Sequence, residues 1–278
     1  MGLRINTNVP SHAAQRSLRV TNDQQNDVLA KLSSGNRITK AADDAAGLAI
    51  SEKLKANIRS SGQAKRNAND GISMIQVAEG SLSEISNILI RLRELSIQAA
   101  SDTVGDPERS FTELEYQNLK KEVQRISQVT EFNGKKLLNG TGMLYDFQIG
   151  ANNDPFEDRI SYNAQTTNST LASLGVEQLS VKDKTSAQLS LDSLDKAIHK
   201  VSGQRADLGG VQNRLVSTAN NLEISVENLS AANSRIRDTD FAHATAENTR
   251  LNILSNAGVS VLSQANMQGS AAMKLIGG

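Results

Sequence analysis

Between Ala187 and Ile236 an apolar or small residue recurs every seventh position: Ala187, Leu194, Val201, Leu208, Leu215, Leu222, Leu229 and Ile236. Four residues later in successive repeats stand Leu191, Ile198, Arg205, Gln212, Ala219, Val226 and Asn233. A mean spacing of 3.5 residues keeps one seam facing a partner helix along its whole length. No proline interrupts the stretch, so it predicts a continuous helix roughly 75 Å long at 1.5 Å per residue. One seam cannot repay the entropy of ordering such a rod, and the remaining chain must supply its partners.

Further helical patterns provide them. Ala14, Leu18, Thr21, Gln25, Val28 and Leu32 step by three and four, ending at Ser33-Ser34-Gly35-Asn36, a stop with glycine at the left-handed position. Asp43-Asp44 caps a new helix running to about residue 100. Its later half carries Ile75, Ala78, Leu82, Ile85, Leu89, Leu92, Ser96 and Ala99. Gly62, Gly71 and Gly80 fall inside it and read as close packing or slight bends. Gly105-Asp106-Pro107 breaks the pattern, and Tyr116, Leu119, Val123, Ile126 and Thr130 mark another helix over 108–129. The helices at 44–100 and 108–129 are the expected internal partners of 187–236. Gly203, Gly209 and Gly210 would then mark close approaches between neighbours.

Residues 131–180 change character. Asn133-Gly134 and Asn139-Gly140 are turn dipeptides. Leu144–Ile149 and Arg159–Tyr162 alternate, predicting a small β-hairpin at the tip of the rods. A polar loop through Asn168-Ser169-Thr170 follows. At the C-terminus Leu251, Leu254, Gly258, Val261, Ala265, Gln268, Ala272 and Leu275 step by three and four, while Ile253, Val259, Leu262, Met273 and Ile276 fall off that seam. No charge occurs from Leu251 to Met273, yet Ser, Asn and Gln make the stretch too polar for a membrane span. A helix uncharged on every side is usually buried on every side, most simply by other copies of the chain.

Composition narrows the function. The chain has 278 residues, 30 basic and 30 acidic, with formal charge zero, so the basic excess of a nucleic-acid-binding face is missing. Aromatics make up 3% and tryptophan is absent. Without cysteine there is no disulfide and no thiolate metal site. The N-terminal residues lack a signal-peptidase pattern, and secretion would proceed without a cleavable signal. No phosphate-binding loop, zinc motif or nucleophile elbow occurs. His12, His199 and His243 are each isolated and read as surface or packing residues, and no cofactor is expected. Asp43-Asp44 reads as a helix start rather than an acid–base pair. The sequons at Asn139, Asn168 and Asn228 read as accidental.

Several blocks resemble bacterial flagellin. The N-terminal signature is carried by Ile5–Asn8, Ala14–Leu18 and Lys31–Ile50. Leu208–Leu215, Asn220–Ala242 and Ile253–Asn266 carry the C-terminal signature, with Phe132-Asn133-Gly134 between the halves. The tail after Asn266 departs from the family, where a proline often follows. The resemblance implies a structural, non-enzymatic subunit that self-assembles into the helical flagellar filament for motility. It implies type III export, with a chaperone, cap and hook-junction proteins as partners alongside many copies of itself. The filament would be extracellular, sheathed or bare, or periplasmic. Neither nucleic acid nor membrane insertion is expected.

The implied fold is mainly α: long antiparallel rods in a coiled-coil-like bundle, with a small β-hairpin region between the halves. Residues 1–42 and 237–278 would form an inner core domain, ordering on assembly. Residues 43–180 and 181–236 would form a second domain. Val9, Leu18, Val28, Leu32, Leu251, Leu254, Val261, Leu262, Ala265 and Leu275 are the expected subunit-interface residues of the inner core. Phe132, Leu144, Ile149 and Ile160 represent the expected switching region. Residues Ile90–Ile97 resemble the segment read by the vertebrate Toll-like receptor for flagellin, with Arg91, Leu95 and Glu115 matching and Ser96 replacing a usual alanine. A hook–filament junction protein and a non-flagellar coiled-coil adaptor are the rival readings.

Overall fold

The computed structural model describes residues 7–276, with side chains through Met267. Helix α1 (Val9–Ser34) starts at Asn8, whose side-chain oxygen accepts from the Ser11 N–H at 3.1 Å. Pro10 sits in the first turn, where its missing N–H costs nothing. Gly35 ends the helix at φ 69°, donating to the Lys31 carbonyl. Asp44 Oδ1 accepts from Gly47 N at 2.8 Å at the start of α2 (Ala45–Ala99). Asp43 instead braces the preceding turn, accepting from Lys40 N, Thr39 N and the Thr39 hydroxyl, each at 3.0 Å. Those bonds, the Lys40 and Thr39 amides foremost, hold its carboxyl below the usual carboxylate range.

Pro107 lies in the first turn of α3 (Asp106–Val129), as its position predicts. The α2–α3 turn is closed by Arg109, which donates to the Ala99 and Ser101 carbonyls at 3.0 Å each. It thereby satisfies acceptors that the end of α2 leaves open. Strands β1 (Glu131–Phe132) and β2 (Lys135–Lys136) pair across Asn133 at φ 48° and Gly134 at φ 75°, the left-handed pair a two-residue hairpin needs. Strands β3 (Leu144–Gln148) and β4 (Arg159–Asn163) are antiparallel, with Tyr145 opposite Tyr162 and Phe147 opposite Ile160. The polar loop beyond holds one helical turn that its composition hid, α4 (Leu171–Leu174), capped by Thr170 and ended by Gly175. The long helices α5 (Lys184–Arg237) and α6 (Phe241–Ile276) complete the chain.

The chain divides into two compact units, Met1–Ala56 with Asn228–Gly278, and Asn57–Glu227. The second has a continuous hydrophobic core. Every residue of the predicted α2 seam from Ile75 to Ala99 is buried, Ser96 included. Tyr116 and Val123 of α3 meet it, as do Ala187, Leu194, Val201, Leu208 and Leu215 of α5. Lys65–Glu223 at 3.0 Å, Arg205–Glu79 at 3.6 Å and Arg93–Asp195 at 2.6 Å bridge the two long helices. One index rises as the other falls, so α2 and α5 are antiparallel. Pairs this exposed define register more than they add stability.

The connecting segment is stitched onto that core. Glu113, 6% exposed, accepts from Val181 N and Gln117, both at 2.6 Å. Lys120 donates to the carbonyls of Glu177 and Leu179 at 2.7 and 2.8 Å. Burial pulls its ammonium pKa down, opposed by the charges of Glu113 and Glu177. Gln204 of α5 binds the Thr166 and Asn168 carbonyls and accepts from Ser169.

Two expectations need correction. The β3–β4 hairpin does not sit at the tip of the rods: Asn67 of α2 donates to the Gln148 carbonyl at 2.9 Å, and Phe147 lies over Gly71. A Cβ at Gly71 would stand 3.0 Å from that ring, so the missing side chain makes room for it. Gly203, Gly209 and Gly210 have open space where a Cβ would be, as do Gly62 and Gly80. Close packing explains Gly71 alone of these six.

Candidate subunit interface

In the first unit α1 and α6 pack closely against each other. Their register is set by polar bonds. Asn8 Nδ2 donates to the Ala265 carbonyl and the Ser11 hydroxyl to Asn266 Oδ1, both at 2.9 Å. Ser255 donates to Asn22 at 3.4 Å and Gln25 to Asn252 at 2.8 Å. From Ser11 through Asn22 to Gln25 the partners fall from Asn266 through Ser255 to Asn252 by the same steps, as one antiparallel register requires. Leu18 lies across Gly258, where a Cβ would approach its methyl at 3.1 Å.

This register leaves apolar surface uncovered. Leu251 is fully buried and Ala265 nearly so, while Leu18, Val28, Leu32 and Leu262 are half-buried. Val9, Leu254 and Val261 are 57%, 45% and 59% exposed. Leu275 lies outside the described side chains. The face turned toward α1 runs Leu251, Ser255, Gly258, Leu262 and Ala265, which corrects the seam read from the sequence: Leu262 belongs on it, Leu254 and Val261 do not. Polar bonds and small residues chose the register, so the bulkiest aliphatic stripe did not decide which side faces inward. Val20, Leu29, Ile253 and Val259 add to the exposed apolar surface.

The same unit ties the end of α5 to the chain leaving α1. Arg37 N donates to the Arg237 carbonyl at 2.6 Å, and its guanidinium to the Ile236 carbonyl. Thr239 N returns to the Gly35 carbonyl at 2.9 Å. Ser51 donates to Asn233 at 2.8 Å.

The remaining expected site residues do not form one surface. Arg91 donates to Glu115 at 2.9 and 3.1 Å and to Glu94 at 3.0 Å. The Glu94 bond first, then Glu115, raises its guanidinium pKa. Leu95 is 2% exposed and belongs to the core, which removes it from the expected recognition strip. It falls on the inner stripe of α2 with Leu92 and Ala99, whereas Arg91 and Glu94 lie on the outer one. Ile149 and Ile160 are buried, Phe132 packs half-buried on the core, and Leu144 is 57% exposed. Sequence reading passed over Asn8 and Ser11, because a cap and a cross-helix bond leave no periodic signal.

Among the described residues no group of three His, Cys, Asp or Glu side chains is arranged to hold a metal ion, and no helix is long and apolar enough to cross a membrane. Family models for the bacterial flagellin N-terminal and C-terminal helical regions match residues 5–143 and 191–276. A flagellin of Halalkalibacterium halodurans is 42% identical over 272 residues, covering 98% of this chain and 99% of the relative. A flagellar filament 30.7 kDa core protein of Treponema maltophilum is 40% identical over 284 residues, with 98% and 99% coverage. The crystal structure of Bacillus cereus flagellin aligns with a TM-score of 0.51 at 32% identity, covering 56% of this chain and 88% of that one. A putative flagellar hook-associated protein from Vibrio parahaemolyticus aligns at TM-score 0.58 over 70% of this chain and all of its own, but at 14% identity it speaks to the fold alone. With both halves matched and relatives alike from end to end, the chain belongs to the bacterial flagellin family.

Proposed function

We infer that this chain is the structural subunit of a flagellar filament, and that α1 and α6 are the surfaces through which copies join. The observation that carries the reading is the first unit's uncovered apolar surface. In these two helices Val9, Val20, Leu29, Leu254, Val259 and Val261 remain exposed, around a helix pair already held in register by its own polar bonds. Contacts that repeat head to tail without closing build a fibre. In this reading 1–42 and 237–278 form the inner core domain, and 43–236 form a second domain. Export follows the family's type III route, with a chaperone, cap and hook-junction proteins as partners.

Two finer assignments accompany it. Residues around β1–β4, including Phe132, Leu144, Ile149 and Ile160, are the proposed switching region between subunit packings. The half-exposed Arg91–Glu115 pair is the proposed contact for a vertebrate Toll-like receptor, with the buried Leu95 acting only as its support.

Removal of residues 1–40 and 237–278 is the direct test. Purified full-length protein, seeded with filament fragments, should elongate them without limit, and the truncated protein should not elongate them at all. Elongation by the truncated protein would overturn the interface assignment, and growth stopping after a few layers would favour a junction protein.

A further inference from the structure

The chain holds two Asn-Gly steps, Asn133-Gly134 and Asn139-Gly140. An asparagine before glycine is open to reaction with its own backbone. The glycine amide nitrogen attacks the asparagine side-chain carbonyl carbon, ammonia leaves, and a cyclic imide forms. Water then opens the imide at either carbonyl, giving aspartate or an isoaspartyl link. One water enters for each ammonia lost, and no oxidant, metal or enzyme takes part. Glycine favours the closure because no Cβ shields its nitrogen.

The fold treats the two steps differently. Asn133 and Gly134 lie exposed at the tip of the β1–β2 hairpin. Neither the Asn133 carboxamide nor the Gly134 N–H holds a hydrogen bond among the described residues. Attack requires the backbone to leave its left-handed turn, so the rate follows how often the hairpin opens. Only Glu131 with Lys136 and Phe132 with Lys135 pair across it, and a two-stranded ladder is marginal by itself. Local opening of such an element costs far less than global unfolding.

Asn139 is held on every side. Its Oδ1 accepts from the Thr141 N–H at 3.0 Å and the Thr141 hydroxyl at 2.8 Å. Leu137 and Leu138, just before it, are fully buried, and the Leu138 carbonyl accepts from Ser169 N at 2.9 Å. The Asn168 side chain stands over Gly140 in the space a Cβ would fill. Folding Asn139 back onto the Gly140 nitrogen therefore means breaking its side-chain bonds and lifting core leucines.

We propose that Asn133 is a site of spontaneous deamidation, while the fold protects Asn139. The surroundings accept the new carboxylate: Lys135 follows the turn, its ammonium 5.1 Å from the Tyr145 ring centroid, and Lys136 already pairs with Glu131 at 2.6 Å. The isoaspartyl product is different in kind. It adds a methylene to the main chain, and a two-residue turn built on two left-handed residues has no room for it. The hairpin should loosen in that form. This chemistry is independent of the filament reading.

The test is to incubate full-length protein at mildly alkaline pH and follow the two sites by peptide mass spectrometry. Trypsin separates them, into Ile126–Lys135 and Leu137–Arg159. The amide-to-acid mass shift should appear at Asn133 at least roughly tenfold faster than at Asn139, the ratio given by about 1.4 kcal/mol of difference in opening free energy. In guanidinium chloride the two rates should converge, and Asn133→Gln should remove the signal from its peptide. Labelling by an isoaspartyl methyltransferase should concentrate on the same peptide. Amide exchange at Leu137, whose N–H reaches the Thr130 carbonyl across the hairpin base at 3.2 Å, should quicken in the isoaspartyl form and not in Asn133→Asp. Equal rates in the folded protein, or an Asn133 as strongly slowed by folding as Asn139, would overturn the assignment. Unchanged exchange at Leu137 in the isoaspartyl form would overturn the loosening.

Discussion

Single residues act here according to the stripe they occupy. Leu89 and Leu208 are fully buried in the second unit's core, and Leu→Ala at either should cost about 2–5 kcal/mol, read as a fall in the denaturant midpoint. Leu95 was expected at a recognition surface because Ile90–Ile97 resembles the segment read by the Toll-like receptor for flagellin. Yet a step of three from Leu92 and of four to Ala99 already place it on the inner face, so the helical wheel was the better guide. Asp43 has a pH signature. Its folded pKa is lowered by the Lys40 and Thr39 amides, so its contribution is complete above the ordinary carboxylate pKa and is lost as pH falls through the lowered folded value. Amide exchange at Thr39 and Lys40 should accelerate over that acid range, and Asp43→Asn should flatten the dependence.

At the scale of elements, the long helices were legible because a sustained period leaves many residues in agreement. The α2 seam and the first five sevenfold positions of α5 are all buried, and caps at Gly35 and Asp44 fall where turn chemistry suggests. Glycines were not legible in the same way, since a missing side chain says nothing about what stands opposite. Gly80→Ala and Gly203→Ala, facing open space, should stabilise the monomer by roughly 0.5–1 kcal/mol through helix propensity. Gly71→Ala should gain less or destabilise, because its Cβ would crowd the Phe147 ring. Thermal unfolding of the three variants side by side distinguishes them. Gly258→Val should separate α1 from α6 by driving two methyls toward Leu18. Lost helicity in the first unit, with the second unit's melting unchanged, would register it.

For the whole molecule, the contrast between the two units carries the function. The second unit buries a full three-helix core, whereas the described side chains of α1 and α6 bury few apolar residues beyond Ala244, Leu251 and Ala265. That imbalance predicts coupled ordering of α1 and α6 on assembly. The circular dichroism signal at 222 nm should deepen when monomer polymerises, and an unchanged signal would argue that α1 and α6 are already fully formed alone.

The sequence by itself determined the helices and their approximate ends, because each rests on a repeated local signal, and it carried the family in its signature blocks. Only the tertiary structure decided which side of α6 faces α1, where the β3–β4 hairpin docks and which glycines touch a neighbour. Each of those depends on a few long-range contacts: Asn8 with Ala265, Asn67 with Gln148, and Phe147 over Gly71. A contact between residues far apart in the chain leaves no period in a single sequence.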